Sequence, residues 1–199
     1  MTASNRADID RAITALQDRY GEAPVEFEEP PFEVAPDIFR GLVEAARAGT
    51  LDSSYVWVRR TPGQFPDPSA SMPAATAESH RVLLIYSRAD DHEWTVPGGG
   101  REPGESLEET AGRELAEETG IEATITGLRK VQHNVAVPTE RVSDIEFEEV
   151  HAIYPVFDAR YERGTLDIQP EELYGAAWFD QMPDSVHDLI ADLTFEDAP

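Results

Sequence analysis

Three glutamates crowded into one short segment are the residues of this chain best placed to do chemistry. Glu114, Glu117 and Glu118 stand at i, i+3 and i+4 in LEETAGRELAEETG, a spacing that sets them on adjoining positions of one helix face. Like charges at that spacing repel, and Glu117 and Glu118 would also occupy a last turn, where the helix dipole is negative. Each term opposes the arrangement by roughly 0.3–1 kcal/mol. Arg113, four residues before Glu117, offsets only part of it. A hard divalent cation reverses the sign of all these terms, because such ions are bound by clustered carboxylate oxygens. Several local rules broken together mark a site. The competing reading is an ordinary solvated acidic face, common in so acidic a chain.

The elements that must position these carboxylates are legible on either side. Ser106 and Glu109 form a capping box, and Pro103-Gly104 before it supplies a turn, so a helix is expected from about Leu107. Leu107, Ala111 and Leu115 make one buried stripe, and Gly120 suits the left-handed residue that closes a helix near Thr119. Upstream, Gly98-Gly99-Gly100 lets the backbone approach an ion or a phosphate closely, with a plain turn as the alternative. Glu105, just before the helix, favours the positive end of the dipole and reads as structural.

Gly99, Glu105, Arg113-Glu114, Leu115, Glu117-Glu118, Gly120 and Ile121 keep the spacing of a known signature at every fixed position, and here the chain resembles the Nudix hydrolases. That family cleaves a nucleoside diphosphate linked to another moiety. A looser resemblance spans about residues 55–193, and nothing before residue 55 matches the family. The resemblance implies an α/β/α sandwich with a mixed β-sheet and a requirement for Mg2+ or Mn2+. It also implies metal ligation by Glu114, Glu117 and Glu118 and by the backbone carbonyl of Gly98, and phosphate contact at Arg88, for which an ordinary surface arginine is the alternative, with Gly99 beside the substrate. Glu114, Glu118 and Arg113 are the catalytic candidates, Arg113 by pairing with acids nearby and holding them in place. Which carboxylate is the general base stays open: Glu118, Glu114, or Glu171 or Glu172 from a later loop (QPEELYGAAW), which could instead supply a further metal ligand and whose alternative is an ordinary acidic loop.

Composition bounds the class. The 199 residues, 40% of them apolar, allow one domain with an extension: a helical N-terminal part at 1–50 and a Nudix domain at 51–199. No cysteine is present, so disulfides, thiolate metal sites and cysteine nucleophiles are excluded. No apolar run approaches 18 residues and the N-terminus lacks the features of a secretory signal, so the expectation is a cytoplasmic enzyme with no membrane partner. Net charge is −24, and Lys130 is the sole lysine among 16 basic residues. Acid spread along a lysine-poor chain resembles proteins of salt-loving microbes, in which concentrated salt screens self-repulsion. A nucleic-acid mimic facing a basic partner is the alternative. Either way the charge argues against DNA or RNA as ligand.

The remaining segments give a coarse map. Ile9, Ile13, Leu16 and Tyr20 form one helical stripe ending at Gly21, and Phe39, Leu42, Val43 and Ala46 form another ending at Gly49, with turn-rich sequence between. These stripes pack within the chain, shape a substrate pocket or join a homodimer. Strands are expected at 55–60, 81–87 and 94–97, then one or two over 123–137 with a break near Gly127. Further strands are expected at 148–157, where Pro155 implies an edge or a bulge, and at 176–179, before a closing amphipathic helix at 183–193. A long Pro/Ser/Ala-rich loop at 61–79 separates the first two strands. The five histidines show no ligand spacing.

The reaction expected is metal-assisted hydrolysis of a phosphoanhydride in a small-molecule nucleotide, with ADP-ribose or a related nucleotide sugar first. Nucleoside triphosphates or dinucleoside polyphosphates come second. Base recognition would fall to loops and to aromatics such as Trp57, Phe65, Tyr154 and Trp178, each of which also reads as core. A nucleotide-sensing module that binds without hydrolysis is the alternative from a different class, and the complete set of acids argues against it.

Overall fold

The structure, a computed structural model, describes residues 4–64, 81–88 and 93–195. Most of the long loop expected at 61–79, with Phe65, His80 and His92, lies outside the described residues. In chain order the elements are α1 (Arg6–Tyr20), β1 (Val25–Phe27), β2 (Phe32–Val34), α2 (Pro36–Ala48), β3 (Ser53–Arg60), β4 (Arg81–Ser87) and β5 (Trp94–Thr95). There follow β6 (Gly98–Gly100), α3 (Leu107–Thr119), β7 (Ile121–Pro138), β8 (Val150–Gly164) and β9 (Leu173–Phe179), with 3-10 turns at Pro62–Gln64 and Asp188–Ile190. The chain divides into two compact units. One holds Met1–Tyr55, Gly99–Ala111 and Gly127–Phe157; the other holds Val56–Gly98, Gly112–Thr126 and Asp158–Pro199.

In the first unit the two helical stripes of the N-terminal sequence find their partners. Ile9, Ile13 and Leu16 of α1 are buried. Tyr20 sets its ring edge-on to Phe157, and its hydroxyl and Arg19 both bond Glu108. On α2, Phe39 and Val43 pack against Val142 and Val150, each such burial being worth about 1.5–3 kcal/mol. Residues 22–35, expected as turns, also contain two strands. β1 and β2 pair parallel with β7, Val25 opposite Val131 and Phe32 opposite Ala136. Segments of three residues leave no periodicity to read, and it is the waiting edge of β7 that makes them strands. The chain's one lysine, Lys130, is buried there and bonds Glu26 of β1 at 2.8 Å.

The break expected at Gly127 is absent: β7 is one strand from Ile121 to Pro138. β8 answers it along its length, through Glu122–Arg163, Thr124–Glu162 and His133–His151, so the pair is antiparallel. Cross-strand pairing outweighs the roughly 0.5–1 kcal/mol that one interior glycine costs. Pro155 is likewise not at an edge, because β8 lies between β7 and β3.

The second unit is built on β4, whose residues Val82, Leu83, Leu84 and Ile85 are buried. β4 pairs antiparallel with β3, β5 and β9: Arg59 lies opposite Val82, Tyr86 opposite Trp94, and Leu84 opposite Ala177. β9 begins at Leu173, three residues before the expected start. The closing amphipathic helix is replaced by the short turn Asp188–Ile190, which buries Leu189 and Ile190. Residues just before that turn are drawn out along β5. Trp94 donates to the Ser185 carbonyl and accepts from His187 N–H, and a parallel bridge joins Trp94 to Val186. Those bonds form with a distant strand, so local helical periodicity was no guide to them. With parallel and antiparallel pairs and helices beside them, the architecture is α/β with a mixed sheet.

Candidate functional site

Helix α3 is bounded as its sequence dictates. Ser106 N–H donates to Glu109 Oε2 at 2.8 Å and Glu109 N–H to Ser106 Oγ at 3.2 Å, the reciprocal capping box. Thr110 Oγ1 and Glu102 N–H both donate to Glu105, which fixes the turn before the helix. Leu107, Ala111 and Leu115 are buried. At the far end Gly120 takes φ 69°, its N–H reaching the Ala116 carbonyl, and Asp167 N–H bonds the Thr119 carbonyl at 3.0 Å. A methyl group on Gly120 would lie 2.9 Å from the Thr165 carbonyl oxygen, so only glycine lets that segment approach the helix end.

The three carboxylates project from the second half of α3 and differ in surroundings. Glu118 is buried and its Oε2 accepts the Gly98 N–H at 2.9 Å, which joins the helix to the glycine strand β6. Arg113 bridges the other two, its Nη1 lying 2.8 Å from Glu114 Oε1 and 3.1 Å from Glu117 Oε2. Glu117 is half exposed, whereas the Glu114 side chain retains 15% of its exposure. Burial pushes the Glu114 carboxyl above its ordinary pKa. The bond and charge of Arg113 pull it back, and the negative charges of Glu117 and Glu172 raise it again.

The later loop arrives at the same region. Arg88 follows β4, and its backbone N–H donates to the Glu172 carbonyl at 2.8 Å. Glu171 and Glu172 are exposed, and Glu172 is close enough for its charge to act on Glu114. Of the residues singled out in the sequence, Gly98 and Glu118 are thus in contact, Arg113 holds Glu114 and Glu117, and Arg88 is bonded to the loop of Glu171 and Glu172. Gly99 sits in the middle of β6. The three carboxylates do not converge on a point, and among the described residues no three His, Asp or Glu side chains are gathered closely enough to hold a metal ion. Arg113 supplies the counter-charge that repulsion at i, i+3 and i+4 demands.

Two residues that touch this region were not singled out in the sequence. Tyr174, 49% exposed on β9, lies under Arg88 with the guanidinium carbon 4.1 Å from its ring centre. Its signal was the period-2 alternation with buried Leu173. Asp167, the residue tied to the helix end, left no local signal.

The NUDIX domain model matches residues 56–189. This chain belongs to the Nudix hydrolase family. The nucleoside triphosphatase NudI of Escherichia coli K12 is 33% identical over 102 residues, 49% of this chain and 72% of that protein. Among solved structures, a MutT NUDIX hydrolase from Burkholderia pseudomallei covers 69% of this chain and 89% of its own at 21% identity and TM-score 0.42. A C. elegans Ap4A hydrolase covers 65% and 79% at 17% identity and TM-score 0.38. The Nudix match begins at Val56, so residues before it have no counterpart in the family model. The α/β sandwich expected from the signature is the Nudix fold, and no helix among the described residues is long and apolar enough to cross a membrane.

Proposed function

We propose that this Nudix hydrolase cleaves a phosphoanhydride bond in a nucleoside diphosphate linked to another moiety, using Mg2+ or Mn2+ held by Glu114, Glu117, Glu118 and the Gly98 carbonyl. The observation that carries the reading is Glu118 in contact with Gly98 at the end of a helix that also presents Glu114 and Glu117. The donor set suits a hard cation: it is all oxygen, and the desolvation that raises the Glu114 pKa is relieved by a positive charge. To take part, Glu114 and Glu117 must leave Arg113, a change of side-chain rotamer on a fixed helix. Bound metal supplies charge neutralisation of the diphosphate and a lowered pKa for the attacking water.

The protein's own residues do the rest. Gly98-Gly99-Gly100 allow the phosphates close to the backbone. Before metal arrives, Arg113 holds Glu114 and Glu117 in place. A carboxylate accepts the proton of the attacking water: Glu118 or Glu114 from the helix, or Glu172 or Glu171 from the loop. Excess negative charge keeps nucleic acids away and leaves small nucleotides as substrates.

For the substrate, a nucleoside triphosphate comes first, because the curated relative at 33% identity is a nucleoside triphosphatase. ADP-ribose or another nucleotide sugar, the expectation from family analogy, is the second arm. The test is release of phosphate from a nucleotide panel with Mg2+, coupled to an inorganic pyrophosphatase for triphosphates and to a phosphatase for nucleotide sugars, and run at low and high KCl. Turnover that vanishes with chelator supports the proposal. Binding across the panel without turnover would make the chain a sensor.

A further inference from the structure

Arg88 is an exposed arginine in a chain of 40 acidic residues, yet among the described residues no carboxylate pairs with it. Arg113, Arg59, Arg40 and Arg163 all have acids within 3.1 Å. Arg88 is held instead by neutral groups. Its Nε donates to the Pro170 carbonyl at 2.8 Å, its backbone N–H donates to the Glu172 carbonyl, and its guanidinium lies 4.1 Å above the Tyr174 ring centre. Tyr174 is itself backed by Tyr86, 5.8 Å away, whose ring lies tilted against Trp94 at 5.1 Å.

That arrangement spends one guanidinium edge and one face on fixing the group and leaves the terminal Nη donors without a partner among the described residues. A fork held in this way loses little further side-chain entropy when it meets an oxyanion. The supporting segment is anchored at both ends: Asp167 N–H bonds the Thr119 carbonyl at the close of α3, and Leu173 enters β9 opposite Ser87. The fork is therefore tied to the helix that carries Glu117 and Glu118.

We infer that Tyr174 is a positioning residue, whose ring, with the Pro170 carbonyl, presets the Arg88 guanidinium to receive an oxyanion of the substrate's phosphate chain. The inference rests on the hydrolase reading for the identity of the anion, and its test is independent of turnover. The probe is inorganic pyrophosphate with Mg2+, titrated calorimetrically into the full chain. Arg88→Ala should weaken binding about tenfold or more, and Tyr174→Ala about two- to fivefold, the range of an exposed cation–π contact. Tyr174→Phe keeps the ring and should bind as the parent does. In the double variant Arg88→Ala, Tyr174→Ala the loss should equal that of Arg88→Ala alone, because the tyrosine acts only through the arginine. On a turned-over nucleotide, Tyr174→Ala should raise KM with kcat unchanged.

Parent-like pyrophosphate binding by Tyr174→Ala would overturn the inference, as would additive losses in the double variant or no pyrophosphate binding by the parent protein. A silent nucleotide panel beside Tyr174-dependent pyrophosphate binding would sink the hydrolase reading and leave the fork standing. Turnover with a wild-type-like Tyr174→Ala would do the reverse.

Discussion

Changing Glu118 to glutamine removes one negative charge from α3 while keeping the side chain's shape. The amide oxygen can still accept the Gly98 N–H that Glu118 Oε2 now accepts at 2.9 Å, so the link between helix and glycine strand survives. A bond to a charged acceptor is worth about 1.5–3 kcal/mol and one to a neutral acceptor about 0.5–1.5, a loss near 1 kcal/mol. Relief of repulsion from Glu114 returns roughly 0.2–0.5 kcal/mol. The unfolding midpoint should therefore move by no more than about 2–4 °C. On the proposed mechanism turnover should fall about 10²-fold or more, or about 2.7 kcal/mol of barrier, because a neutral amide takes up neither a cation nor a proton as a carboxylate does. The assay is coupled phosphate release at saturating Mg2+, read beside the thermal midpoint. Glu118→Ala is the contrasting variant. It leaves the Gly98 N–H without this acceptor, at about 1–3 kcal/mol, and so loses stability as well as rate. Turnover of Glu118→Gln within about threefold of the parent would refute the reasoning and remove Glu118 from the chemistry.

Three further outcomes are expected. His133 is buried with its Nε2 2.9 Å from His151 Nδ1, and burial, then the His151 charge, hold its pKa below the ordinary value. The folded state thus resists a proton that the unfolded chain accepts. Stability is present above about pH 6.5 and is lost as pH falls below it, by up to about 1.4 kcal/mol per pH unit, and thermal midpoints between about pH 7.5 and 5.5 should show a shallower slope in His133→Gln. Gly164 has φ 115°, and a methyl group there would collide with the Gly120 carbonyl oxygen, so Gly164→Ala should cost about 3 kcal/mol or more in urea unfolding. Finally, with a net charge of −24, the unfolding midpoint should rise between about 0.1 M and 2 M KCl. A flat response would dismiss the high-salt reading of the composition.

What could be read without coordinates was whatever rests on neighbours in sequence. The capping box at Ser106 and Glu109, the stripe of Leu107, Ala111 and Leu115, and the closing Gly120 bounded α3 as observed. The i, i+3, i+4 spacing put three carboxylates on one face for the same reason: a helix's geometry is set by bonds four residues apart. Tertiary structure decided what depends on strands meeting across long stretches of chain. β1 and β2 exist because β7 offers them an edge. Residues 185–187 extend along Trp94 where periodicity favoured a helix, and Gly127 passes through β7 without a break because β8 pairs beside it. The candidate site divides along the same line. The placement of three acids and Arg113 on one helix was legible from their spacing, whereas the Gly98 bond to Glu118 and the seat of Arg88 on Tyr174 appear only when separate segments are packed together. Hydrogen bonds and ring contacts between distant residues have no period in the sequence, so only the folded chain can select them.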